Sequence, residues 1–125
     1  MRMRICGSML LALLSVVPLI NAADLDGEVM PTIEVVSESL ASNIGLHDVA
    51  AASVDAKDLE ALFAEVEAHF AARADAKDAV EYAKQSRRLA AGVLGALQGG
   101  RFDEAANAAS EIARTCKACH RKYKP

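Results

Sequence analysis

Apolar residues along this chain recur at spacings of three and four, and no stretch alternates as a strand would. From Pro31 to about Asn43, the positions Ile33, Val36, Leu40 and Ile44 predict a short first helix. Pro31 suits its first helical position, and Asn43 and Gly45 suit its end. After a loop around "LHDVAAASVD", Ser53 or Asp55 caps a second helix, which runs to about Ala72 with Leu59, Leu62, Phe63, Val66 and Phe70 on one stripe. Asp75 opens a third pattern through Val80, Ala83, Leu89, Val93, Leu94 and Leu97, closed by Gly99-Gly100. Asp103 caps a fourth, with Phe102 as an N-terminal staple and Ala105, Ala106, Ala109, Ile112, Ala113 and Cys116 facing inward. Four helices joined by short turns predict an all-α, antiparallel four-helix bundle. In that arrangement the end of the fourth helix lies beside the start of the first.

The N-terminal stretch follows a different pattern. In "MRMRICGSMLLALLSVVPLINA", Arg2 and Arg4 precede an apolar run from Ile5 to Val17, followed by Pro18 and a short segment ending at Ala22 and Ala23. This three-part pattern predicts a secretory signal peptide over residues 1–22, export to the periplasm, and a single domain over 23–125. The run is too short for the roughly 20 residues that span a bilayer, so no stable membrane span is expected after its removal. Cys6 leaves with it, and two cysteines remain.

Composition changes the picture in two ways. Aromatic residues make up only 4% of the 125, with no Trp, so the core must be built from Ala, Val and Leu, with room for a bulky non-protein group. Without Arg2 and Arg4, the 14 basic residues fall to 12 against 17 acidic ones, which argues against nucleic-acid binding. Asp24, Asp26, Glu28, Glu34 and Glu38 crowd the start of the exported chain, whereas Arg114, Lys117, Arg121, Lys122 and Lys124 crowd its end. Half of that asymmetry is compensation of the helix macrodipole, and the rest predicts a basic docking surface.

Chemistry concentrates in "TCKACHRKYKP" at the C-terminus. Cys116, Cys119 and His120 stand at i, i+3 and i+4, so all three project from one face of the fourth helix. Cys-x-x-Cys-His is the c-type haem attachment pattern: each thiol adds to one vinyl group, and the adjacent imidazole ligates the iron. A zinc clip would have to recruit both remote histidines, His47 and His69. A redox dithiol would expect a βαβ context, and a disulfide across this spacing in a helix is strained.

"ARTCKACHRKYKP" resembles the C-terminal signature of the class II c-type cytochromes, the cytochrome c-prime family, where the haem motif is followed by an aromatic residue and then a base, here Tyr123 and Lys124. The stretch from about Asp78 to Lys124 resembles the last two helices of that family, whereas the N-terminal half matches weakly, as in a compact relative. The resemblance implies a four-helix bundle with one covalent haem c near the C-terminus, His120 as proximal ligand, Tyr123 and Lys124 beside the cofactor, and a homodimer.

The sixth iron position separates two functions. In the family, an apolar distal residue leaves the iron open to NO or CO, whereas a methionine on the first helix makes an electron carrier. Met30 is the one methionine beyond the leader and falls at the start of the first helix, which makes it the candidate distal ligand. As a residue before proline it is biased towards extended backbone and is expected in the lead-in rather than in the helix, with Ile33 or Val36 as the apolar alternatives. His47, in the loop at the other end of the bundle, and His69, on its surface, are weaker candidates. The expected activity is one-electron transfer to a redox partner with an acidic docking surface. A five-coordinate binder of NO or CO is the alternative, and a haem-free bundle with a zinc or disulfide clip a remote third. No catalytic triad or carboxylate dyad is recognisable, so the chain does not read as an enzyme.

Overall fold

The computed structural model describes residues 25–123, so the leader expected over 1–22 and Lys124 lie outside the described residues. A π-helical turn, Leu25–Val29, leads directly into α1 (Met30–Gly45), followed by α2 (Val49–Ala71), α3 (Lys77–Gln98) and α4 (Phe102–Tyr123). Among the described residues there is no strand. Each helix packs on the next, α1 closes the ring against α4, and the backbones of the diagonal pairs stay apart. The short turns make neighbours antiparallel, which completes an all-α four-helix bundle.

Three helix starts differ from the pattern-based expectation, each for a local reason. The supposed ten-residue loop is only the turn Leu46–Asp48, because Asp48 rather than Ser53 or Asp55 caps α2: its Oδ1 accepts from the Ala51 amide at 3.0 Å. The alanines that follow are strong helix formers and carry the helix from there. Asp55 sits inside α2, where its Oδ2 accepts from Ser39 Oγ at 2.9 Å and Asn43 Nδ2 at 2.7 Å and ties α1 to α2. Asp75 does not open α3 but pairs with Arg73 at 3.3 Å. α4 begins at Phe102 rather than after Asp103, which with Glu104 falls in the first turn, where acidic charge favours the helix dipole. Gly100 takes φ +68°, the left-handed conformation that ends α3 and that only glycine adopts cheaply.

The core is also rotated relative to expectation. On α3 the buried face runs through Ala79, Ala83, Ser86, Ala90, Val93, Ala96 and Leu97, while Val80, Leu89 and Leu94 are only partly covered. On α4, Ala106 and Ala113 are exposed, and the buried positions are Ala105, Ile112, Thr115 and Cys119. Small residues take the places where backbones come close, and large ones flank them. Leu40, Leu59, Leu97, Ile112 and Val93 are the largest fully buried side chains.

Leu59→Ala, at a position with no exposed surface, should destabilise the fold by about 2–5 kcal/mol in denaturant unfolding. Val35→Ala, at a site 66% exposed, should change stability by no more than about 0.5 kcal/mol.

Candidate functional site

A cavity of about 360 Å³ lies inside the bundle towards the end where α4 finishes. α1 contributes Met30, Ile33 and Ser37, α2 Phe63 and Val66, α3 Ala79, Ala83 and Ser86, and α4 Thr115, Cys116, Cys119 and His120. Its size falls within the range of small-molecule and cofactor sites, and its walls are mainly apolar with a few polar groups. Glu34 and Glu38 of α1 and Lys117 of α4 are exposed yet stand on the same lining, which places the mouth between these two helices, the least closely packed neighbours in the ring.

The register of α1 against α4 follows from a contact at the far end. His47, in the left-handed conformation at φ 57°, stacks on Phe102 with ring centroids 3.9 Å apart and an interplanar angle of 10°. As many residues separate His47 from Met30 as separate Phe102 from Cys119, so in two antiparallel helices Met30 comes level with the Cys-x-x-Cys-His segment. Met30 is helical, the first residue of α1, and not in an extended lead-in. The helical path is set by the π-turn before it, and Pro31 falls within the first turn of α1, where its fixed φ suits the helix. Of the apolar alternatives, Ile33 lines the cavity and Val36 does not.

Cys116 and Cys119 are both free thiols on this wall. Burial, aided by the neighbouring Cys119, pushes the Cys116 thiol up to about 11, and burial with the nearby Asp78 charge raises that of Cys119. Both are therefore neutral S–H groups at neutral pH, unlike the thiolates that serve thiol–disulfide exchange. Among the described residues no three His, Cys, Asp or Glu side chains converge as a metal-binding group. His47 is held by Phe102 at the opposite end, and His69 is exposed, edge-on to Phe70 at 5.0 Å.

Tyr123 does not line the cavity. Its ring lies 5.4 Å from that of Phe70, and its hydroxyl donates to Asp78 Oδ1. Lys122 Nζ donates to the other carboxylate oxygen, so Asp78 at the start of α3 clamps the end of α4 just beyond the motif. The Asp78 carboxyl is held at about 2, below its ordinary 3.8, mainly by the hydrogen bond from Lys122 and then by that from Tyr123. Sequence reasoning missed Asp78, which looks no different from the neighbouring Asp75. It also missed the hydroxyls of Ser37 and Ser86, which the helical pattern places on the same faces as Met30 and Ala79.

No family model matches the chain, and neither a curated protein nor a solved structure matches it. Function must therefore be read from these side chains themselves.

Because the folded Asp78 has the lower pKa, its ionised form stabilises the fold above its ordinary value, and that contribution disappears as pH falls from 3.8 towards about 2. Asp78→Asn should therefore lower the melting temperature at neutral pH, and thermal scans at decreasing pH should show the gap from the wild type closing across that interval.

Proposed function

We propose that this chain is a periplasmic monohaem c-type cytochrome of the class II type that transfers single electrons. The observation that carries the reading is the grouping of Cys116, Cys119 and His120 on one wall of an apolar cavity, with Met30 level with them on α1. Two neutral thiols and an imidazole one turn of helix apart are the donor set for a haem held by two thioethers and one axial nitrogen. Ala79 and Ala83 present only methyl groups to the cavity from α3, and Phe63 and Val66 add apolar surface from α2. Bound there, haem would supply a reversible one-electron change at its iron.

In this reading Cys116 and Cys119 would anchor the macrocycle, and His120 and Met30 would ligate its iron. A thioether as sixth ligand raises the reduction potential. Lys117 and Arg121 are exposed beside the site and would steer an acidic redox partner, an effect that weakens with salt. Lys122 is already paired with Asp78 and contributes less to that surface. Tyr123 acts through Asp78 and Phe70 rather than on the cofactor. No helix among the described residues is long and apolar enough to cross a membrane.

One observation favours a second reading, in which the iron is five-coordinate and binds NO or CO. Ile33, 4% exposed, lines the cavity one turn along α1 from Met30. An isoleucine over the iron in place of Met30 would leave the sixth position open.

Protein exported to the periplasm should retain a haem stain through denaturing electrophoresis and show a sharp reduced alpha band that CO does not alter. Met30→Ala should convert that spectrum to a high-spin form that responds to CO. A wild-type protein already high-spin and CO-reactive would assign the open site to Ile33, and a chain without haem stain would refute both readings.

A further inference from the structure

Hydroxyl groups collect at the inner end of the cavity. Ser86 and Thr115, 2% and 6% exposed, are the buried polar residues among those described, and both line it. Ser37 lines it too, and its Oγ is buried with no hydrogen-bond partner among the protein's atoms. A helical serine ordinarily satisfies its hydroxyl on the carbonyl one turn back, as Thr115 does on Glu111 at 3.0 Å. Ser37 does not. A buried hydroxyl without a partner is costly, and alanine at the same place would be a better helix former with no such penalty.

The three groups stand at nearly one level. As many residues separate Asp78 from Ser86 as separate Tyr123 from Thr115, so the Asp78–Tyr123 contact sets Ser86 opposite Thr115 across α3 and α4. Counting from the His47–Phe102 stack in the same way brings Ser37 level with Ile112, within one turn of Thr115. Met30 and Ala79 lie two turns from Ser37 and Ser86 on their helices, towards the end where α4 finishes. The three hydroxyls therefore cluster on the inner side of the cavity, about two turns from Met30 and Ala79.

We infer that Ser37, Ser86 and Thr115 form a hydration subsite that holds ordered water against the inner edge of the haem and lowers its reduction potential; this rests on the cytochrome reading. A buried water is stable where two to four polar partners meet in a space large enough for it, and three hydroxyls on three helices supply them. The occupant is neutral: Glu34 and Glu38 on the α1 side of the mouth disfavour an anion, and Lys117 on the α4 side disfavours a cation. Ferric haem carries one more positive charge than ferrous haem. Water and hydroxyl dipoles at its edge therefore favour the oxidised form, whereas a dry apolar wall would favour the reduced one.

The test uses the exported holoprotein, with covalent haem checked by staining after denaturing electrophoresis. Its midpoint potential is then titrated spectroelectrochemically in the wild type, Ser37→Ala, Ser86→Ala and Ser37→Thr. Both alanine variants should shift the midpoint upward with an unchanged ligand spectrum, and Ser37→Thr, which keeps the hydroxyl, should stay near the wild type. A high-resolution crystal structure should place a water within about 2.7–3.2 Å of Ser37 Oγ. Covalent haem with unshifted midpoints in both alanine variants, or no water at Ser37, would overturn the subsite and leave the cytochrome reading intact. No covalent haem would overturn both.

Discussion

Alanine sets how closely these helices approach, and the uneven distribution of buried alanine shapes the cavity. Ala52 and Ala56 on α2, Ala79, Ala90 and Ala96 on α3, and Ala105 on α4 are essentially inaccessible, so the α2–α3 and α3–α4 backbones come close. α1 buries Ile33, Leu40 and Ile44 and no alanine. Branched side chains on one partner hold helices farther apart than methyl groups do. The ring of four is therefore tight on two sides and loose where α1 meets α4, and the space left there is lined from α4 by Cys116 and His120. The absence of Trp and the scarcity of other aromatics follow the same logic, since few large rings are available to fill the gap.

What was legible in the chain follows from which signals are periodic. The number of helices, their order and the Cys-x-x-Cys-His face needed only spacing, and the Gly99-Gly100 stop needed only the chemistry of positive φ. Which aspartate caps which helix was not legible, because Asp48, Asp55, Asp75 and Asp78 offer the same carboxylate, and only tertiary partners distinguish them. Asp48 meets its own helix's amide, Asp55 meets Ser39 and Asn43, Asp75 meets Arg73, and Asp78 meets Lys122 and Tyr123. The buried faces of α3 and α4 were misread for a related reason. Large apolar residues dominate a periodicity count, while the closest packing belongs to Ala and Ser. The hydroxyls at the inner end of the cavity were invisible for the same cause, since serine on an alanine-rich face reads as a small filler.

The Asp78 clamp and the cavity are coupled through α4. Lys122 and Tyr123 follow His120 by two and three residues, so the carboxylate that holds them also fixes the rotation of the turn that carries the imidazole. Raised pKa values at Lys122 and Tyr123 and a lowered one at Asp78 keep all three in their bonding protonation states across the neutral range. The contact is largely exposed, so its weight is in geometry rather than in energy.

Where α1 begins then decides what faces His120. A lead-in strand before Pro31 would leave Met30 free to turn away, but Val29 is buried at 3% exposure and Thr32 Oγ1 donates to the Glu28 carbonyl at 2.6 Å, so the chain is held on both sides of Met30. The π-helical turn Leu25–Val29 widens the winding just before α1, a feature that recurs where proteins re-aim a functional side chain. Met30 and Ile33 share the cavity-facing side of α1 at one-turn spacing and differ by only about 4.5 Å of helix rise. Met30 and Ile33 are thus separated by less than one turn of a single helix, and the buried Val29 holds the chain beside the first of them.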